Sequence, residues 1–85
     1  MGKNKNDYRR LVIANNLKRL IGRGGIMSIS DFAAKHGSNL RTVKRWRHEG
    51  VDSLATVVEI SATLGVPFLE LILTPEELAS GNSGQ

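Results

Sequence analysis

The sequence predicts a compact, all-α domain, and three observations carry that prediction. Apolar residues recur at three- and four-residue spacing in successive short segments, the period of a half-buried helix. Ser, Asn or Thr precedes several of these segments and Gly follows them, the start and stop signals of helices. β-branched residues occur without sustained two-residue alternation, so no strand is indicated. A length of 85 residues suits one domain with one modest core.

The first helix is expected over Asp7–Ile21, where Ile13, Leu17, Leu20 and Ile21 form one apolar stripe. Asp7 suits its N-cap or first turn. Gly22, Gly24 and Gly25 end it and read as a flexible connector. A phosphate-binding loop is rejected there, because no Gly-Lys-Ser/Thr and no strand accompany the glycines. Ser28 or Ser30 caps a second helix with Phe32 and Ala33 inward, Ala34 and Lys35 outward and Gly37 at its end. After Gly37-Ser38-Asn39 comes a third helix, Leu40–Glu49, capped by Asn39, with Val43 and Trp46 inward and Gly50 closing it. Trp46 is read as core rather than as a base-stacking residue. Short helix, glycine turn, second helix is the order of a helix-turn-helix.

Asp52 or Ser53 caps a fourth helix to about Leu64, with Leu54, Val57, Val58, Ile60 and Leu64 as its apolar side and Gly65 as its stop. Pro67 opens a fifth short helix through about Leu73. Thr74-Pro75-Glu76-Glu77 has the pattern of a capped turn, with Thr74 as N-cap and Glu77 closing a capping box. Residues 1–6 are expected to be a flexible basic arm, 7–80 the folded domain and 81–85 a disordered tail.

Charge is strongly polarised. Residues 1–48 hold all twelve Lys and Arg against two acids, a formal +10; residues 49–85 hold six acids and no Lys or Arg, a formal −6. One end suits a polyanion and the other does not. The absence of cysteine excludes disulfides and thiolate metal sites and suits a reducing cytoplasm, the expected location. His36 and His48 have no partner at metal-ligand spacing and read as ordinary surface histidines. No nucleophile elbow or paired-carboxylate pattern is present, so no enzyme, cofactor or metal is expected. No apolar run approaches the roughly 20 residues of a membrane span, and no unbroken apolar stretch follows the basic start, so neither membrane association nor a signal peptide is expected.

With Val43 and Trp46 inward, the 100° step per residue turns Arg41, Lys44, Arg45 and His48 to the opposite side of the third helix. Arginine presents a planar fork that bonds guanine O6 and N7 together in the major groove. Arg41, Lys44 and Arg45 are therefore the base-reading candidates. Ser28, Ser30, Asn39, Thr42, Arg47 and His48, with Arg23 in the glycine loop, are the backbone-phosphate candidates. Lys3, Lys5, Arg9 and Arg10 form either an arm along the DNA or a solubilising tail.

The run from Ser28 to Trp46, followed by Ser53-Leu54 and by Ile60-Ser61-Ala62-Thr63-Leu64-Gly65-Val66, resembles the helix-turn-helix domain of the lambda-repressor/Cro family of phage and bacterial regulators, the Xre-type fold. With the first helix the resemblance covers about 65 residues. It implies a five-helix domain, with the helix-turn-helix in helices two and three, that binds operator DNA as a dimer on a two-fold-related site. It places base-reading positions on Leu40, Arg41 and Arg45, of which Leu40 suits a thymine methyl or, equally, burial against Phe32. Where the family often has a DNA-contacting glutamine at the start of helix two, this chain has Ile29. Where many members carry Glu paired with an Arg of helix one, this chain has Arg47, so that ion pair is expected to be absent and Arg47 free for phosphate. The glycine loop is also somewhat longer than usual.

The expected function is a transcriptional regulator, a phage- or prophage-type repressor that reads a pseudo-palindromic operator in double-stranded DNA as a homodimer. With no second domain in view, a small Cro-like role is expected. An accessory protein of recombination or transposition, or an antitoxin, would use the same fold. A module of another class would bind a protein through the acidic C-terminal half. In that half, Pro67, Phe68, Leu71 and Ile72 are the candidate dimer interface, unless all of them pack on their own domain.

Overall fold

A computed structural model describes residues 5–83, with side chains for residues 8–80. Among these, six helices follow in order: α1 Lys5–Leu20, α2 Ile29–His36, α3 Leu40–Glu49, α4 Leu54–Leu64, α5 Leu69–Ile72 and α6 Pro75–Ser83. No helix of the described residues is long and apolar enough to cross a membrane. The chain is thus all-α as expected, with one helix more than five. The Thr74 motif opens a full helix because its capping box is complete. Glu77 N donates to Thr74 Oγ1 at 3.0 Å, and Thr74 N donates to Glu77 Oε1 at 2.8 Å. That helix takes in residues 81–83 of the expected tail, and residues 84–85 lie outside the described residues.

α1 is the central element, packed against α3 on one side and α5 on the other. Two contact faces explain why its buried set is wider than the expected stripe. Val12, Ala14 and Asn16 are buried with Ile13, Leu17, Leu20 and Ile21. The helix begins at Lys5, which places Asp7 in the first turn and removes residues 5–6 from the proposed arm. Asn16 is a buried polar residue, and its amide donates to Leu71 O at 2.8 Å and Leu73 O at 2.9 Å. It thereby satisfies carbonyls at the end of α5 that have no intrahelical partner.

The glycine run after α1 is a closed turn, not an open connector. Gly22 N bonds Met27 O at 2.7 Å, and Ile26 N bonds Leu20 O at 2.7 Å. Gly25 lies so close to the end of α1 that a Cβ there would strike Leu20 O. The chain therefore re-enters α2 at a fixed place.

Ser28 caps α2, its Oγ accepting from Asp31 N at 3.0 Å. Gly37, at φ 86°, ends it in the left-handed conformation. Ser53 caps α4 and Gly65 ends it. α2 packs on α3 and α4. The core joins Phe32 and Val43 to Leu17, Ile21, Ile60 and Leu71, all fully buried. Each such side chain contributes about 1.5–3 kcal/mol relative to an exposed one.

Two positions expected on the apolar side of α4 turn outward: Leu54 is 68% exposed and Val58 48%. Ser61 takes an inward place beside Ile60 and Leu64, its hydroxyl donating to Val58 O at 2.7 Å. A hydroxyl bonded within its own helix can be buried at little cost, and the helix rotates accordingly.

Candidate nucleic-acid interface

α3 is held from both ends. Asn39 Oδ1 accepts from Thr42 N at 2.8 Å and starts the helix. At the other end Gly50, at φ 86°, lies directly on α1, where a Cβ would strike the Arg10 carbonyl oxygen. Only glycine allows this close approach in this conformation. Between these anchors Val43 is fully buried and Trp46 is half-buried against the core.

Arg41, Lys44, Arg45 and His48 are exposed, and their spacing of three, one and three residues sets them on a single face opposite Val43. Glu49, four residues after Arg45, is exposed at the edge of that face. Leu40, at its edge, is 45% exposed, which favours the apolar contact surface over burial against Phe32. Among the phosphate candidates, Ser30 and Arg23 are exposed and Thr42 is half-buried. Ser28 and Asn39 spend a side-chain oxygen on their caps. Ile29 is half-buried and packs on the core, so the start of α2 offers no long polar side chain there.

Three expectations are corrected. Arg47 is not free: its Nε donates to Ile21 O at 2.8 Å, capping the carbonyl end of α1. A cation at that end also complements the helix dipole. Arg9 is not part of an arm. It lies in α1, pairs with Glu77 at 2.9 Å and 3.3 Å, and bonds Ile72 O. Arg10 likewise lies in α1, 3.4 Å from Asp52, although it remains near α3. Of the other arm residues, the Lys5 backbone is helical and Lys3 lies outside the described residues.

His36 also departs from the surface reading. It stacks on Phe32 with ring centroids 5.3 Å apart and meets Trp46 edge-on at 5.5 Å. Its Nδ1 lies 2.7 Å from Ser38 Oγ, and its Nε2 3.8 Å from Glu59. The ring thus ties α2, the turn, α3 and α4 together. The spacing Phe32–His36, four residues apart on a helix, was the available sequence signal. Asp52, Glu77 and Asn16 had no such signal as partners, since each meets a residue 42 or more positions away.

Leu71, a dimer-interface candidate, is fully buried, because the α5–α1 contact uses it. Phe68 and Ile72 are half-buried against the core, and Pro67 is exposed.

Glu77 is shifted well below the ordinary carboxylate value of 4.5, to about 2, chiefly by the hydrogen bond from Arg9 and then by the backbone of Thr74. The same bond raises Arg9. Both groups stay charged and locked to each other, so their chemistry is structural. Among the described residues no three His, Asp or Glu side chains gather as metal ligands would. The face of α3 offers guanidinium forks, hydrogen-bond donors and one apolar edge. Comparison with protein-family models, curated proteins and solved structures returns no match to this chain.

Proposed function

We propose that the chain is a sequence-specific DNA-binding regulator of transcription, and that α2, the turn Gly37-Ser38-Asn39 and α3 act as a helix-turn-helix with α3 in the major groove. The observation that carries this reading is the exposed basic face of Arg41, Lys44, Arg45 and His48 on a helix whose opposite side is core. A helix anchored by Val43 and Gly50 turns this face to one side, and bidentate guanidinium donors discriminate guanine. In this reading Arg41, Lys44 and Arg45, with Leu40, meet base edges. Thr42, His48, Ser30 and Arg23 meet the backbone.

A Cro/CI-type repressor, phage or prophage in origin, is the role we assign. It would block a promoter as a homodimer on a pseudo-palindromic operator. The second copy would then meet Pro67 and the exposed parts of Phe68 and Ile72, not Leu71. Selection of bound sites from a random duplex pool tests the whole reading, since it reports specificity, half-site symmetry and spacing together. Recovery of one two-fold-related motif is the expected result. A pool that stays random after selection would refute sequence-specific recognition.

A further inference from the structure

Beside the base-reading face lies an open cleft of about 420 Å³ between α1, the end of α3 and the start of α4. Arg10 and Arg45 line it together with Glu49 and Asp52. Arg10 Nη1 stands 3.4 Å from Asp52 Oδ2. The backbone brings the two side chains together: Gly50, two residues before Asp52, lies against the Arg10 carbonyl and Cγ. Two carboxylates therefore sit at the edge of an otherwise cationic surface.

We propose that Asp52 is a built-in competitor for the DNA backbone. Its carboxylate holds Arg10 in the free protein and yields it to a phosphate when a duplex lies along Arg45. The inference rests on the DNA-binding reading above and adds to it a residue that limits affinity for any duplex. The pair is suited to exchange because the Asp52 side chain is 81% exposed and that of Arg10 43%, so water and salt screen it. A phosphate offers a guanidinium the same paired oxygens as a carboxylate. Exchanging one anion for another brings little net gain, which holds down affinity for any duplex. The base contacts of Arg41 and Arg45 are untouched, so specific and random duplexes are weakened alike. Glu49, on the same cleft, adds repulsion of the same sign.

The test is binding of a random-sequence duplex and of its salt dependence by fluorescence anisotropy, for wild type, Asp52→Asn, Arg10→Gln and the double variant. Asp52→Ser, which leaves a small polar side chain at that position, serves as a second neutral substitution, and thermal melting confirms that each variant folds. Asp52→Asn is expected to tighten binding roughly two- to five-fold at low salt, the worth of an exposed ion pair. The slope of log affinity against log salt should steepen by up to about 0.9, one phosphate's share. Both changes should vanish in the Arg10→Gln background. An unchanged affinity and slope in both neutral variants, or a gain that persists without Arg10, overturns the proposal while leaving DNA binding intact. A wild-type protein that binds no duplex even at low salt overturns the DNA-binding reading and this inference with it.

Discussion

Arg47 Nε donates to the Ile21 carbonyl at 2.8 Å, so a residue of the third helix closes the end of the first. The guanidinium fills the space over Gly22, where a Cβ would come within 3.0 Å of Nη2 and where φ is 130°. Arg47→Ala should therefore lose about 1–3 kcal/mol of stability, the range for a charge-assisted hydrogen bond, in urea unfolding. Gly22→Ala should destabilise more than Gly24→Ala. Residue 24 also has positive φ but open space around it, so strain acts alone there. Equal losses at the two glycines would mean that the guanidinium gives way freely.

Asn16 is the polar clasp of the α1–α5 contact. Replacing it by Leu leaves the Leu71 and Leu73 carbonyls without their donor, an expected loss of about 2–4 kcal/mol. Asp at this position, which places a carboxylate against two carbonyls, should be worse than Leu near neutral pH. Urea titrations of the two variants read the order directly, and a Leu variant as stable as wild type would contradict the role.

The Arg9–Glu77 pair makes the seating of α6 acid-sensitive. The Glu77 carboxyl is depressed in the folded chain, so the stability it contributes is present above its ordinary value of 4.5 and lost as pH falls through about 2. Glu77→Gln should be less stable than wild type near neutral pH and should approach it as pH drops across that window. Unfolding curves collected from pH 6 to 2 test this, and parallel profiles for the two proteins would show that the pair contributes nothing.

On the proposed DNA face the variants should separate by kind. Arg41→Ala and Arg45→Ala should each cost about 1–3 kcal/mol on the selected site and little on random duplex. Lys44→Ala discriminates its two possible partners: a base contact loses specificity, whereas a phosphate contact weakens all sequences and reduces the salt slope by about one. Equal losses on specific and random DNA for both arginines would make this face a backbone contact only.

The elements were legible where the determinants are local. Asn39 caps, and Gly37 and Gly65 terminate, at positions that a three- or four-residue window reveals, while Ser28 and Ser53 are each one of two neighbouring cap candidates. The outward face of α3 followed in the same way from Val43 and Trp46. What stayed hidden is tertiary. Arg9, Arg10 and Arg47 look alike in sequence, as solvated cations near a basic terminus or on a basic helix. In the fold each is claimed by an acid or carbonyl more than twenty residues away. The two faces of α1 were read as one because Asn16 interrupts the second stripe. A polar residue in that place looks exposed until its acceptors are known.

The carbonyls that Asn16 grips lie 55 and 57 positions downstream. During synthesis α1 leaves the ribosome before α5, and the side of it that will bind α5 has nothing to bury against until residue 73 has been made. Chains caught in that interval carry an uncovered apolar ridge, a state in which chaperone contact or clumping with neighbours is favoured. Slower elongation should lengthen that interval rather than relieve it.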